Sequence, residues 1–261
     1  MGEEVNMNIT QKFYDKLASQ YDKLFLNWQD ATKEQAAMLD KIFRDNGFDK
    51  DFGKEARILD CACGIGTQAI GLAVLGYEVT ASDISDGELA EAKKRATENN
   101  VKITFANADF RHLSQTFDKQ FDIIIAMDNA LPHMLTNGDL TQAIESIIGR
   151  LVAGGLFVAS IRDYDDILRE TPPYSPPYVH KTGKGQRVSF QTWDWEGERY
   201  KLTQYIIDDQ ETLQISKFQC EYRATTREEL TKLLVAAGCR EVAWKFPEET
   251  GFYQPMVVAK K

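Results

Sequence analysis

The stretch RILDCACGIGTQAIGLA, residues 57–73, contains a Gly-x-Gly-x-x-Ala pattern directly after a short apolar run. Gly64 and Gly66 allow the backbone to turn tightly and approach a ligand, and a helix after them would point its positive N-terminus at that ligand. The pattern fits a dinucleotide site, but a carboxylate at Asp60 would repel a pyrophosphate. Asp60 suits a ligand that carries an amino group and a sulfonium cation.

A second carboxylate, Asp83, ends the next apolar run nineteen residues after Gly64. A carboxylate at this place accepts hydrogen bonds from both hydroxyls of a ribose, which is a feature that NAD sites and adenosyl sites share. The glycines and the two carboxylates therefore predict an adenosyl ligand and leave NAD as a remote alternative.

Two further side chains could take part in chemistry. His133 follows the fourth apolar run, and we interpret it as a structural or cofactor-contacting residue rather than a general base. Arg162 closes the fifth run, at the edge of the sheet where ligands bind. Arg162 could therefore contact a ligand; the alternative is that it forms an ion pair with Asp163, Asp165 or Asp166.

The elements that must position these residues alternate between strand and helix. The apolar runs ARILD, YEVTASD, VKITFANAD, FDIIIAM and GLFVAS are separated by helical patterns over residues 67–75, 85–100 and 139–151. This alternation predicts a doubly wound α/β fold, a parallel sheet with helices on both faces. Ser85 and Glu88 form a predicted capping box at the start of the second helix.

Residues 1–50 predict an N-terminal helical cap on this sheet. The side chains that recur at spacings of four and three, and so share one predicted helix face, are Phe13, Leu17, Tyr21, Leu24 and Trp28. We expect that face to pack against the sheet. Tyr14 and Tyr21 could also reach a ligand with their hydroxyl groups.

The pattern changes after residue 170. Residues 171–187 hold four prolines and two glycines and predict an irregular loop, which we expect to act as a mobile lid. The β-rich runs RVSFQTWDW, RYKLTQYIIDD and TLQISKFQCEYRA follow, with connections typical of hairpins. Residues 171–222 thus predict an inserted loop and three-stranded antiparallel meander over the active site, within a single domain of residues 1–261.

The end of the sequence predicts a return to the main sheet. A capped helix begins at Thr226 and ends at Gly238. The runs REVAWKF and PMVVAKK after it read as two strands, which we add to the main sheet as an antiparallel edge pair.

The composition limits the partners of the protein. Its 31 basic and 40 acidic residues give a net charge of −9, which disfavours binding to the phosphates of a nucleic acid. No apolar run approaches the ~18 residues that a membrane span needs. The four cysteines have no zinc-ligand spacing and no secretory context, and we interpret Cys61 and Cys63 as packing residues. We expect a cytoplasmic protein that binds a small molecule and no metal, nucleic acid or membrane.

Five stretches resemble the successive motifs of class I S-adenosylmethionine-dependent methyltransferases, in order and in spacing: LDCACGIGT, ASDIS, ANADF, FDIIIAMDN and LVAGGLFV. The resemblance implies S-adenosylmethionine as cofactor and a Rossmann-like methyltransferase fold, whose mostly parallel seven-stranded sheet has an antiparallel seventh strand. It implies that Asp60 faces the methionyl amino group and that Asp83 holds the ribose. The predicted cofactor-binding residues are Tyr14, Tyr21, Asp60, Ala62, Gly64, Gly66, Asp83, Ile84, Ala108, Asp109, Phe110, Met127 and His133.

A narrower resemblance concerns the acceptor. DCACGIG, AMDNALPHM, SIRDYDDIL and SKFQCEYRATT are similar to stretches of glycine N-methyltransferases and of glycine/sarcosine methyltransferases. In that family the residues matching Asn129 and Arg162 hold the carboxylate of the amino acid, and a tyrosine matching Tyr222 assists. The resemblance therefore implies these three as catalytic residues. Arg223 stands where the family has a second tyrosine, and Ala31 stands where it has an arginine.

These observations predict an S-adenosylmethionine-dependent methyltransferase that acts on the amino nitrogen of a small amino acid such as glycine or sarcosine. A neutral amine attacks the methyl group directly, so that ~7–11 kcal/mol of the barrier can be removed by positioning alone. Two alternatives stay open. One is a methyltransferase for a hydroxyl, thiol or other amine of a small metabolite, and the other is a non-catalytic module that binds S-adenosylmethionine.

Overall fold

A computed structural model of the chain describes residues 2–48, 56–183, 185–209 and 211–261. The strands are β1 (Arg57–Asp60), β2 (Glu78–Asp83), β3 (Thr104–Asn107), β4 (Phe121–Ala126), β5 (Leu151–Ser160), β6 (Tyr178–Thr182), β7 (Gly185–Glu196), β8 (Arg199–Asp208), β9 (Gln214–Arg223), β10 (Glu241–Lys245) and β11 (Met256–Lys260). The helices are α1 (Gly2–Leu17), α2 (Trp28–Asp45), α3 (Thr67–Val74), α4 (Asp86–Glu98), α5 (Asn137–Gly149), α6 (Tyr164–Glu170), α7 (Arg227–Ala236) and α8 (Pro247–Thr250). No helix in these ranges is both long and apolar enough to cross a membrane.

Seven strands form the main sheet, in the order β10-β11-β5-β4-β1-β2-β3. The pairs from β3 to β5 are parallel, while β11 runs antiparallel between β5 and β10. This arrangement confirms the predicted doubly wound sheet with one antiparallel strand. The strand order reverses between β1 and β4, and the carboxyl ends of such strands flank the crevice in which these sheets bind ligands.

β4 explains why an unbroken apolar run reads as a strand in this fold. All six of its residues are buried. Ile123 belongs to the same core cluster as Leu39 of α2, whereas Ile124 belongs to the cluster that contains Ile144 of α5. Both faces of the strand are therefore covered by helices, and its one charged residue, Asp122, is buried in an ion pair with Arg57 at 3.0 Å.

The inserted sheet has four strands where the sequence predicted three, in the order β6-β7-β8-β9. The additional strand β6 lies within the predicted irregular loop, and its Tyr178 pairs with Ser189 of β7. Ahead of β6, the amide of Trp193 donates to the carbonyl of Pro173 at 2.8 Å. Prolines are tolerated there because the segment lies at the edge of the sheet, where an amide donor is not required. The irregular-loop prediction was wrong, because the strand forms through pairing with β7.

The N-terminal segment folds as two α-helices, α1 and α2, joined by a 3₁₀ helix, and not as one helix with a single apolar face. A 3₁₀ helix covers Ala18–Leu24, the chain is extended at Phe25, and the side chain of Asn27 caps α2. Phe13 lies in the core cluster beside the inserted sheet. Trp28 lies in a different cluster, with residues of α3 and α4. The predicted single face was wrong because the Asn27 cap starts a new helix with a new direction.

α2 and α3 approach each other closely at Gly71. A Cβ atom on Gly71 would lie 2.5 Å from the backbone oxygen of Thr32 and 2.6 Å from the Cβ of Ala36. Real Cβ contacts are not that short, so the contact between these helices requires glycine in the middle of α3. This packing holds the start of α3, and with it the glycine segment, against the N-terminal half of the chain.

Candidate active site

The glycine segment after β1, residues 61–66, makes the tight turn that its sequence pattern predicted. The amide of Gly66 donates to the carbonyl of Cys63 at 2.8 Å, and Gly66 begins α3 with a φ of 90°. A Cβ atom on Gly66 would lie 2.9 Å from Cδ1 of Ile70. Both the backbone conformation and the packing therefore favour glycine.

Asp60 ends β1 beneath this turn and has no exposed surface. One of its oxygens accepts the amide of Ala62 at 3.3 Å, and Oδ2 has no hydrogen-bond partner among the described residues. Burial raises the pKa of Asp60 to about 8, although the Ala62 amide acts in the opposite direction. Buried polar atoms are rarely left unpaired, so this oxygen fits the donor group of a ligand.

Asp83, at the end of β2, lies beside the same turn. Its two oxygens accept the amides of Gly64 at 2.9 Å and of Ser85 at 3.0 Å. Burial raises its pKa above the usual value, although these amides lower it. Each carboxylate oxygen has a second lone pair, so Asp83 can hold the turn and still accept hydrogen bonds from a ligand.

These elements surround a cleft that encloses about 720 Å³, counted with the solvent at its mouth. The predicted cofactor residues that line the cleft are Tyr14, Tyr21, Ala62, Gly64, Asp83, Ile84, Asp109, Phe110, Met127 and His133. Asp60, Gly66 and Ala108 do not line it, since Asp60 and Ala108 are buried and Gly66 packs against Ile70.

Glu88 is a buried acid next to the cleft that sequence reasoning assigned only to a helix cap. Its amide does donate to the Ser85 hydroxyl at 3.0 Å. Its carboxylate does not return the bond, because the Ser85 amide is taken by Asp83, and neither Glu88 oxygen has a hydrogen-bond partner in the described ranges. The predicted capping box is therefore half formed. Burial raises the pKa of Glu88 well above its usual value, which favours its neutral form.

A cluster of aromatic side chains closes the cleft opposite the glycine segment. The hydroxyl of Tyr14 lies 2.8 Å from Nε2 of His133 and 3.4 Å from the hydroxyl of Tyr222. The rings of His133 and Tyr222 are 4.1 Å apart. Burial lowers the pKa of His133 to about 3, so the imidazole is neutral near pH 7. This agrees with the interpretation of His133 as a contact residue rather than a general base.

Asp128 lies two residues after the end of β4 and adopts a left-handed φ of 56°. One carboxylate oxygen accepts from Nε2 of Gln68 at 2.8 Å, and the other accepts from the hydroxyl of Tyr253 at 2.8 Å. The side chain lines the cleft and also a second, larger cavity, which we call the chamber. Asp128 therefore stands at the junction of the two.

The chamber encloses about 2160 Å³, counted with the solvent at its mouth. Its walls come from the N-terminal segment, the inserted sheet and the residues before β11, represented by Tyr14, Trp193 and Tyr253. Arg162 is the one cationic side chain that lines it in the described part of the chain. These walls are compatible with the prediction that the insertion, residues 171–222, lies over the active site.

Arg162 is held by neutral partners. Its Nη1 donates to the hydroxyl of Tyr200 at 2.5 Å, and its Nη2 donates to Oε1 of Gln191 at 2.9 Å. Its guanidinium carbon lies 5.1 Å from the ring of Trp193 and 5.2 Å from that of Tyr222. A guanidinium has five N–H donors, so this arrangement leaves donors for an anionic group.

The alternative partners of Arg162 pair with other cations. Asp163 and Asp165 contact Arg227, and Asp166 contacts Arg169 at 3.0 Å. The ion pairs that the sequence left open for Arg162 are therefore made elsewhere.

Asn129 is placed differently from the expectation that its amide would meet the acceptor. It is 2% exposed. Its Nδ2 donates to the hydroxyl of Tyr164 at 3.0 Å, and its Oδ1 accepts the amide of Arg162 at 3.0 Å. The side chain thus joins the ends of β4 and β5 and positions Arg162.

Three side chains around the junction were missed by sequence reasoning. Asp128 had a signal, because a charged residue two positions after a buried strand stands at the ligand edge of the sheet. Gln68 and Tyr253 had none, because their contacts with Asp128 join residues 60 and 125 positions apart in sequence.

The sequence has relatives among characterised methyltransferases. Residues 58–155 match the family described as methyltransferase domain. The glycine/sarcosine N-methyltransferase of Aphanothece halophytica is 24% identical over 61% of this chain and 57% of that protein. The glycine/sarcosine N-methyltransferase of Halorhodospira halochloris is 24% identical over 84% of this chain and 77% of that protein. The chain spans little more than half the length of some of these curated relatives.

Solved structures share the fold at lower identity. An S-adenosylmethionine-dependent methyltransferase from Clostridium acetobutylicum superimposes with a TM-score of 0.73 at 19% identity, over 95% of this chain and 98% of that chain. An amino pentose methyltransferase from Micromonospora echinaspora, solved with S-adenosylmethionine bound, gives a TM-score of 0.67 at 19% identity, over 88% and 91%. The domain match covers residues 58–155, and the strand order and the solved structures show that the chain has the fold of S-adenosylmethionine-dependent methyltransferases.

Proposed function

We propose that the protein transfers the methyl group of S-adenosylmethionine to the amino nitrogen of a small amino acid. The observation that carries this proposal is the junction between two cavities. Tyr14, Tyr21 and Asp128 line both the cleft and the chamber. A module that only binds the cofactor needs one cleft, whereas a transferase needs a second cavity from which the acceptor reaches the first.

The cleft fits the cofactor in its charge and its donor set. The unpartnered Oδ2 of Asp60 would accept a hydrogen bond from the methionyl amino group. Asp83 would accept from the ribose hydroxyls, since both of its oxygens keep a free lone pair. Asp109 and Phe110 would border the adenine. When bound, S-adenosylmethionine supplies a methyl group on a sulfonium that an amine can attack directly.

The residues at the junction favour an amine over a hydroxyl acceptor. A hydroxyl needs a general base to become a nucleophile, and His133, with a pKa lowered to about 3 by burial, is a poor one. Burial also raises the pKa of Tyr14 well above its usual value, so its hydroxyl stays protonated. An amine in its neutral form needs only to be held in place, and positioning of this kind can supply ~7–11 kcal/mol.

Arg162 supports an acceptor that carries a carboxylate. Its guanidinium lines the chamber among neutral and aromatic partners, and a carboxylate matches its remaining parallel donors. We propose Arg162 as the group that binds this carboxylate, Asn129 as the residue that positions Arg162, and Tyr222 as part of the wall beside it. The names of the curated relatives make glycine and sarcosine the first acceptors to examine.

We further propose a cytoplasmic setting and a small molecule as partner. All four cysteines are buried and free, which suits a reducing compartment. The net charge of −9 disfavours nucleic acid.

Methylation of amines, with product detected by mass, tests the proposal. Arg162→Lys should lower kcat/KM on amino acids by about tenfold or more, because lysine lacks the two parallel donors, while S-adenosylhomocysteine affinity stays unchanged. Arg169→Lys is the matched control, since Arg169 is exposed and pairs with Asp166, which is exposed too. Full activity of Arg162→Lys would refute the carboxylate role. Cofactor binding without turnover on any acceptor would refute the transferase.

A further inference from the structure

The chamber is far larger than glycine or sarcosine requires. Its cavity volume is about 790 Å³, which is within the roughly 300–1,000 Å³ that sites for drug-sized ligands occupy. An acceptor that consists of little more than an amino group and a carboxylate would leave most of the chamber filled with water. An acceptor that fills the chamber must therefore carry a further chemical group besides its amino group and its carboxylate.

The side chains that line the chamber indicate the chemistry of that further group. The aromatic side chains among the exposed large hydrophobic residues of the described ranges are Tyr174, Tyr178 and Tyr253, with exposures of 61%, 64% and 60%. All three line the chamber. Exposed rings that converge on one cavity offer faces and edges on which an aromatic ligand stacks. Tyr174 and Tyr178 belong to a segment that is bonded to β7, so these rings are held near the cavity.

The junction indicates where the amino group lies. The carboxyl group of Asp128, whose pKa is raised by burial, accepts hydrogen bonds from two neutral donors, Gln68 and Tyr253, at 2.8 Å each. Each of its oxygens keeps a lone pair. A carboxylate held in this way is complementary to the ammonium form of an amine that arrives between cleft and chamber. An ammonium nitrogen has no lone pair, so one proton passes to the Asp128 carboxylate before the neutral amine attacks. The new bond from nitrogen to methyl forms as the bond from sulfur to methyl breaks, and S-adenosylhomocysteine leaves as a neutral thioether.

We propose that the acceptor is an α-amino acid with a large aromatic side chain, whose amino group binds Asp128 and whose ring lies against Tyr174 and Tyr178. This inference rests on the proposed methyl transfer to the amino nitrogen of an amino acid, and it replaces the small amino acids named there with aromatic ones as the preferred acceptors. The carboxylate of the same amino acid binds Arg162, so the chamber receives a zwitterion with a bulky apolar group. Glycine and sarcosine share the charged ends and lack the ring.

Binding to the protein saturated with S-adenosylhomocysteine tests the class without any need for turnover. Phenylalanine and tryptophan should bind about tenfold or more tightly than glycine and sarcosine, since burial of a ring removes apolar surface from water. Titration calorimetry measures these affinities. Equal affinities for phenylalanine and glycine, or no binding of any of the four amino acids, would overturn the inference.

Two variants locate the ring and the amino group. Tyr178→Ala should weaken phenylalanine binding several-fold and leave glycine unchanged. Val179→Ala is its control, since Val179 is the next residue of β6, is 51% exposed and does not line the chamber. Asp128→Asn should lower the affinity for phenylalanine about tenfold. It should leave the affinity for 3-phenylpropionate unchanged, because this ligand has the ring and the carboxylate and lacks the amino group. Equal losses for both ligands in Asp128→Asn would overturn the assignment of the amino group.

Turnover separates this inference from the function on which it rests. With S-adenosylmethionine, phenylalanine and tryptophan should show kcat/KM values about tenfold or more above those of glycine and sarcosine. Efficient methylation of glycine and sarcosine, with aromatic amino acids no better, would keep the proposed function and overturn the inference. Tight binding of aromatic amino acids without methylation of any acceptor would support the binding class and overturn the proposed function.

Discussion

The buried carboxyl group of Asp60 makes cofactor binding sensitive to pH. Its pKa is raised to about 8 by burial, so the group is about 90% protonated in the free protein at pH 7. An ammonium group placed against it favours the carboxylate. Binding of S-adenosylhomocysteine should therefore release about 0.9 proton per site at pH 7. Affinity should rise by up to about tenfold per pH unit between about pH 5 and pH 7, which is ~1.4 kcal/mol per unit.

Titration calorimetry in two buffers of different ionisation enthalpy measures the released protons directly. Asp60→Asn should bind with an affinity that varies little over this pH range, because the amide does not titrate. Asp118→Asn is the control, since Asp118 is exposed and should leave the slope of the wild type. A wild-type affinity that is flat between pH 5 and pH 7, with no proton release, would refute the reasoning.

The same raised pKa affects the stability of the free protein. The folded value near 8 lies above the ordinary value of 3.8, so the unfolded chain loses this proton at lower pH than the folded chain. Below the ordinary pKa the group is neutral in both states. As the pH rises from there to the folded pKa, the free energy of unfolding should fall, because the folded protein holds a proton that the unfolded chain has released.

Two further changes test the packing that supports the site. Gly71→Ala should lower the free energy of unfolding by about 2 kcal/mol, because its methyl would lie 2.5 Å from a backbone oxygen of α2; Gly149→Ala, with no atom near its added methyl, should cost nothing, and equal urea midpoints would contradict this. Glu229→Gln should cost about 2 kcal/mol, because it removes a carboxylate 2.7 Å from the guanidinium of Arg223, whose side chain is 6% exposed. Its neighbour Glu228 is exposed, so Glu228→Gln should change stability by less than about 0.5 kcal/mol, and similar losses in the two variants would argue against the buried pair.

The sequence predicted those parts of the fold that local pattern determines. β4 is buried on both faces and reads as a continuous apolar run, and the glycines after β1 signal a turn because few other residues adopt their conformation. These features need no knowledge of distant residues. The motifs that resemble methyltransferases come from the same elements, so family and fold could be inferred together.

The errors concern contacts between distant parts of the chain. β6 is a strand because Tyr178 and its neighbours pair with β7, and four prolines in the sequence masked that pairing. The prediction of a single apolar helix face in the N-terminal segment was wrong because Asn27 caps a new helix. At the site, the amide of Asn129 donates to Tyr164 while the residue lines the chamber, so its contact with the acceptor stays a prediction. Sequence spacing cannot give the direction of a side chain that tertiary packing decides.

The division of the site into cleft and chamber has a consequence for how such a protein can diversify. The cleft is lined by residues 10–134, whereas the chamber also takes its walls from the inserted sheet and from residues 246–255. Tyr14, Tyr21 and Asp128 are shared by the two linings. Some chamber walls also touch cleft residues, since Gln35 contacts Gln68, Tyr253 contacts Asp128 and Tyr222 contacts His133. Substitutions in the other chamber walls can accumulate without disturbing these contacts. A lineage built on this plan can explore new acceptors by drift in the insertion while it inherits the donor site intact.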